Sequence, residues 1–155
     1  MTKLLIVSAS SRVLKEPKEP IEALQRFDGI FMRIIRKYYN KRRKLDILIL
    51  SPVYGLVWAE EKIPYKKPVG GGWYRLPLRE DEVVKLRKKN LSTLKEILAA
   101  RKYDEIHLNV GKYMLELIKG FEQSVKKKTK ITYSTGRGLG PKIKFLKDWL
   151  ESQKA

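Results

Sequence analysis

The segment TGRGLGPK (135–142) sets Gly136, Gly138 and Gly140 among two cations, Arg137 and Lys142. Followed by a helix, such a turn offers free backbone N–H groups and positive potential to a phosphate or another anion. The spacing is neither a dinucleotide fingerprint nor a Walker loop, and the same glycines also serve a tight turn before a capped helix. The segment SASSRV (8–13) brings Ser8, Ser10 and Ser11 together with Arg12, a set suited to phosphate, ribose or a base edge. As nucleophiles these serines lack an evident base, so binding or plain loop solvation is the better reading. The single histidine, His107, lies in DEIHLNV. Alternation puts Ile106, Leu108 and Val110 on one face and His107 with Asn109 on the other. A mid-strand histidine reads first as a hydrogen-bonded structural residue and second as a general base. Asn109, nearer the end of the strand, is placed to touch a ligand. Glu60 and Glu61 are candidates for acid–base work or for reading N–H groups.

Other chemistry is excluded by composition. There is no cysteine, hence no disulfide and no thiolate metal site, and one histidine makes a zinc site unexpected. No metal and no cofactor is implied.

The elements that must position these residues alternate along the chain. KLLIVS (3–8), DILILS (46–51), DEIHLNV (104–110) and KITYS (130–134) are short apolar runs that read as strands. Helical periodicity covers 19–39, 80–102, 111–124 and 141–152, with Pro20 and Pro141 in first turns. The order β-α-β-α-β-α-β-α predicts an α/β domain over 1–155: a mainly parallel four-stranded sheet between two helical layers. Ligands of such sheets bind beyond the carboxyl ends of the strands. Ser8, Ser10, Arg12, Asn109, Gly136, Arg137, Gly138 and Lys142 would gather there.

One connection does not fit the usual pattern. Residues 52–79 form a strand-to-helix link far longer than two to six residues, which argues for a lid or a binding loop. It holds five of the chain's fifteen aromatic residues, Tyr54, Trp58, Tyr65, Trp73 and Tyr74. They alternate with Lys62, Lys66, Lys67, Arg75 and Arg79, a pattern suited to stacking on bases as well as to a satellite core. Tyr54 and Trp58 are expected to be mostly structural, and Gly70, Gly71 and Gly72 to let the distal part move.

Charge points the same way. Thirty-five Lys and Arg against seventeen Asp and Glu give a formal +18, an excess that favours polyanions. A Lys-rich thermophile composition is the alternative, although it usually raises Glu alongside Lys. RIIRKYYNKRRK (33–44) has seven basic residues in twelve and no acid. Lys41, Arg42, Arg43 and Lys44, with Lys126, Lys127 and Lys128, form a basic rim at the amino edge of the sheet, suited to phosphate contacts. No apolar run approaches a membrane span, and the start reads as a strand rather than a signal peptide, so the expected location is cytoplasmic.

The segments LLIVSASSR, ILSPVYGLVWAEEKIPY, YDEIHLNVGKYMLELI and GRGLGPKIKFLKDWL together resemble a family of prokaryotic and phage α/β domains. That family is distantly similar to the YaaA proteins and to the uracil-DNA-glycosylase-like domain of archaeal tRNA-modification proteins. Ser8 and Ser10 match its first motif, with Ala9 where the family has Cys. Ser51, Tyr54, Gly55 and Leu56 match the second, with Pro52-Val53 in place of Ala-Lys. Pro64 and Tyr65 match a Pro-Tyr-Asp motif, with Lys66 in place of the acid. The resemblance implies that Ser51, Tyr54, Gly55 and Tyr65 join the ligand-binding set, and that the partner is nucleic acid. The expected function is therefore a nucleic-acid-binding domain that recognises or processes a base at the carboxyl edge. The alternatives are an enzyme acting on a nucleotide or phosphorylated metabolite, and a basic scaffold without catalysis.

Overall fold

A computed structural model describes residues 2–9, 13–39, 44–66, 79–135 and 138–153. Strands β1 (Lys3–Ser8), β3 (Leu45–Ser51), β6 (Glu105–Asn109) and β7 (Lys130–Tyr133) run parallel. They follow the four runs closely: β1 and β3 are buried on both faces, which leaves continuous hydrophobic sequence, whereas β6 buries Glu105, His107 and Asn109 and the edge strand β7 is partly exposed. The sheet has a fifth member. β4 (Gly55–Trp58) pairs antiparallel with β3 at the edge, giving the order β4-β3-β1-β6-β7.

That extra strand corrects the expectation of four strands, and its cause is local. The Ser51 hydroxyl accepts hydrogen bonds from the backbone N–H groups of Val53 (3.1 Å) and Tyr54 (3.2 Å), which folds the chain back on itself. Gly55 completes the reversal at φ +73°, a region that costs glycine nothing. The residues after β4 form β5 (Lys62–Ile63), which pairs with β2 (Ile21–Glu22) in a small second sheet.

The helix expected over 19–39 is broken. One turn, α1 (Ala23–Arg26), is followed by an extended Phe27 that bridges to Val13, and then by α2 (Ile30–Tyr38). The first part is taken by tertiary hydrogen bonds: the N–H groups of Ala23 and Leu24 donate to the carbonyls of Glu61 (2.8 Å) and Ala59 (3.0 Å). Asp28 then accepts from Arg33 and Arg36, which hold its carboxyl down at about 2. The helix expected over 111–124 is also fragmentary. It consists of α4 (Lys112–Leu115) and two 3-10 turns, Glu116–Ile118 and Phe121–Ser124, separated where Gly120 adopts φ +94°. The two long helices, α3 (Glu80–Ala100) and α5 (Leu139–Ser152), lie where periodicity placed them.

Helices cover both faces. Leu5, Val7, Ile47 and Ile49 pack against α1, α2 and α5, with Phe27, Met32, Ile35, Leu146 and Leu150 fully or almost fully buried. Leu4, Ile6, Leu48, Leu50, Ile106 and Leu108 pack against α3, α4 and the 3-10 turns. The direction of the chain changes between β1 and β6: β1 leads to β3 on one side, and β6 lies on the other. A crevice at such a switch point is where open α/β sheets receive ligands.

Candidate functional site at the carboxyl edge

The switch point puts the end of β1 beside the end of β6, with Val7 in register with Asn109. Ser8 is tied down there, its hydroxyl accepting the Gly111 N–H at 3.2 Å across 103 residues of sequence. Asn109 is 2% exposed, and neither its amide nitrogen nor its amide oxygen has a hydrogen-bond partner among the described residues. A buried amide left without partners costs several kcal/mol unless something else engages it. Gly138, at φ +81°, precedes α5, and Lys142 lies in that helix's first turn. Ser10, Arg12, Gly136 and Arg137 lie outside the described residues, as do Lys67, the 70–72 glycines, Trp73, Tyr74 and Arg75.

His107 is fully buried and stacks on the rings of Trp149 (centroids 4.5 Å apart) and Phe145 (5.8 Å), both on α5. A chain of hydrogen bonds fixes its tautomer. Glu105 accepts at one oxygen from the Thr132 hydroxyl (2.5 Å) and from Trp149 Nε1 (3.0 Å), while Lys3 Nζ sits 3.3 Å from the other. Burial raises the Glu105 carboxyl, but the Thr132, Trp149 and Lys3 contacts outweigh it and leave the group below its ordinary range, hence ionised. Thr132, having donated its proton to Glu105, can only accept from His107 Nδ1–H (2.8 Å). Nε2 therefore carries the lone pair and accepts from the Ser134 hydroxyl at 3.0 Å. Ser134, Thr132 and Glu105 were not singled out from the sequence; two-residue alternation in strands meeting at β6 and β7 was the available signal, but strand order was not.

Burial drives the His107 imidazole down to about 4. Between pH 6.5 and 4 the unfolded chain takes up a proton that the folded chain refuses, so stability falls as pH falls through that window. The expected loss is about 3 kcal/mol, read by urea unfolding at pH 7 and pH 4. In the folded chain the single histidine's NMR resonances should stay those of a neutral ring down to pH 5; protonation near pH 6.5 would refute the burial argument.

The second motif is occupied with structure. Ser51 is fully buried in its turn, and Tyr54, 6% exposed, donates its hydroxyl to the Pro64 carbonyl (2.5 Å) while accepting the Lys66 N–H (2.8 Å). Tyr54 thus pins the segment that leads away from β5, and Tyr65, half-buried, lies inside the clamped stretch. Glu60 and Glu61 stand toward the amino edge, away from the Ser8 and Asn109 ends of β1 and β6, because antiparallel β4 carries the chain back down the sheet. Glu60 accepts from the Tyr39 hydroxyl (2.5 Å), and Glu61 Oε1 from the Trp58 N–H (3.5 Å). Trp58 packs under Arg101, whose guanidinium lies 4.8 Å from the ring centre.

The amino edge carries the other candidate set. Lys44 precedes β3, Lys102 precedes β6, and Lys126, Lys127 and Lys128 precede β7; all five are exposed. Lys102, Tyr103, Asp104 and Lys126–Thr129 line a groove there. Neighbouring acids are engaged elsewhere: Asp46 accepts from Arg101 (2.8 Å) and Tyr103 (2.6 Å), and Glu105 is held by Lys3. Lys41, Arg42 and Arg43 lie outside the described residues. Among the described residues no cluster of metal-ligating side chains occurs, and no helix is long and apolar enough to cross a membrane.

No protein-family model matches the chain, and no curated protein matches it. The crystal structure of AF0587, a protein of unknown function, has a similar fold, with a TM-score of 0.51 at 15% sequence identity. The match covers 96% of this chain but 44% of that protein, so this chain spans less than half its length. At such identity the likeness extends to the α/β fold alone.

Proposed function

We propose that this α/β domain binds nucleic acid, gripping phosphates along the amino edge of the sheet and receiving a base-sized group at the carboxyl edge. The observation that carries the reading is the row of exposed lysines before β3, β6 and β7. Those strands span three inter-strand spacings, about 14 Å, enough to follow several phosphates of a strand. Asp46 and Glu105 are engaged by Arg101, Tyr103 and Lys3, so Asp104 is the one acid among the described residues that line the amino-edge groove, against four lysines. At the other edge, the unpartnered amide of Asn109 supplies one donor face and one acceptor, what a base edge requires. The resemblance to nucleic-acid-associated domains and the +18 charge lean the same way.

Fluorescence anisotropy with labelled single-stranded DNA, duplex DNA and structured RNA across a salt series tests it. Binding is expected to weaken steeply with salt. Changing Lys126, Lys127 and Lys128 together to Glu is expected to cost at least ~30-fold in affinity and to flatten the log–log salt slope by about 2 to 3. Affinity unchanged by the triple substitution, or no binding by the parent chain at 50 to 100 mM salt (about the range in which phosphate contacts dominate), would overturn the amino-edge assignment. Thermal stabilisation by a free nucleotide with no polymer binding would instead favour an enzyme of small phosphates.

A further inference from the structure

The hydrogen-bonded chain through His107 ends at a hydroxyl on the carboxyl edge of the sheet, and it is ordered in one direction. Glu105 is an ionised acceptor, Thr132 donates to it, His107 Nδ1–H donates to Thr132, and Ser134 donates to His107 Nε2. A histidine buried only for packing needs two partners, and these would suffice. Two further observations go beyond packing. Ser134 is half-buried rather than buried, and its hydrogen bond to His107 is only partly buried. β6 and β7 pair with His107 opposite Thr132 and Leu108 opposite Tyr133, and the Ser134 N–H donates to the Leu108 carbonyl at 2.9 Å. Continuing that register by one residue sets Asn109, with its unpartnered buried amide, on the strand beside Ser134.

We propose that Ser134 is a nucleophile toward esters, with His107 as its general base, Thr132 and Glu105 orienting the imidazole, and the Asn109 amide placed to receive the substrate's carbonyl oxygen. In the first step the Ser134 oxygen forms a bond to the carbonyl carbon while its proton passes to Nε2. The carbonyl electron pair moves onto oxygen, where the Asn109 N–H donates to it. Collapse breaks the bond to the alkoxide, which leaves with the proton from Nε2. Water then gives its proton to Nε2 and attacks the acyl-serine, and the serine oxygen leaves and is reprotonated. The net reaction is ester plus water to acid plus alcohol. Thr132 and Glu105 are positioning residues: they keep Nε2 free and hold the ring that becomes charged. This inference does not rest on nucleic-acid binding, and it gives the Asn109 amide to an ester carbonyl where that reading gives it to a base edge.

The test uses the full chain and an alkyl fluorophosphonate. Ser134 attack forms an O–P bond and expels fluoride, and peptide mass spectrometry locates the adduct. An adduct on Ser134 is expected, absent in Ser134→Ala and slowed at least ~100-fold in His107→Gln, within the range of general-base contributions. Asn109→Leu should slow it by about 100-fold as well. Thr132→Val should convert the His107 nitrogen resonances from a pure Nδ1–H form to a mixture of tautomers, which a packing role alone would not require. No Ser134 adduct on the folded chain overturns the proposal, as does an adduct rate indifferent to His107→Gln. If His107→Gln does not fold, the nitrogen spectrum of the unaltered chain decides His107's part: a protonated Nε2 overturns the assignment, and a free Nε2 together with the Ser134 adduct upholds it.

Discussion

Replacing Arg26 with methionine is expected to lower the unfolding free energy by about 4 kcal/mol, measured by urea unfolding at neutral pH. Arg26 is among the largest fully buried side chains of the described residues, and it carries a guanidinium. Its guanidinium donates to the carbonyls of Leu14 (2.9 Å), Pro17 (2.8 Å) and Glu19 (2.8 Å), and more distantly to that of Ile63 (3.4 Å). Methionine keeps much of the apolar stem but supplies no donor, so carbonyls folded around the fork lose their partners. Each hydrogen bond to a charged group contributes about 1.5 to 3 kcal/mol, and relaxation toward water recovers part of the total. The segment leading from β1 to β2 should loosen first, which hydrogen exchange at Leu14, whose N–H donates to the Arg26 carbonyl, would report. A loss below ~1 kcal/mol would show that water replaces the guanidinium without penalty. Lysine should not rescue, because a single ammonium cannot span carbonyls that the planar fork reaches together.

The second large effect is expected at Gly55. An added Cβ would lie 2.8 Å from Asn90 Oδ1 and 3.4 Å from Leu86 Cδ1, at a backbone φ of +73°. The conformation alone costs an alanine about 1 to 2 kcal/mol. Displacing Asn90 costs more, since its oxygen accepts the Leu56 N–H (3.1 Å) and its nitrogen donates to the Leu117 carbonyl (3.0 Å), linking β4, α3 and the 3-10 turn after α4. Gly55→Ala should therefore destabilise by about 3 kcal/mol in the same unfolding assay. Asn90→Ala alone should cost about 2 kcal/mol, and the double variant less than the sum, because the clash and the hydrogen bonds share one side chain. Strict additivity would show that Asn90 does not meet the new methyl group.

These two results bear on how the resemblance motif is to be understood. SPVYG is occupied by a reversal: Ser51 makes the turn, Tyr54 clamps the Pro64–Lys66 backbone, and Gly55 fits against Asn90. Its residues shape the edge of the sheet, while the groups on which the two proposals rest at the carboxyl edge, Asn109 and Ser134, lie at the ends of β6 and β7.

Much of the framework was legible without coordinates. The four runs became β1, β3, β6 and β7; in β1 and β3 burial on both faces needs continuous Leu, Ile and Val, while β6 alternates apolar with polar residues and the edge strand β7 is partly exposed. The periods of α3 and α5 were equally plain. Local reading failed where distant groups competed for the backbone. Residues 19–29 have the spacing of a helix, but the carbonyls of Ala59 and Glu61 and the demands of Arg26 pulled them into one turn and a bridge. Residues 55–58 look like loop because Gly55 opens them and Trp58 closes them, and only the free edge of β3 makes them a strand.

The sequence alone determined the alternation of elements, the absence of thiol chemistry and the excess of positive charge, because these depend on composition and on periods set by backbone geometry. The tertiary structure decided which residues meet. Pairing β6 with β7 brought Ser134 and Thr132 to His107 across 25 to 27 residues, and pairing β1 with β6 placed Asn109 at the switch point. Strand order is set by how the two faces are covered and by long-range register, quantities that no local window of sequence contains.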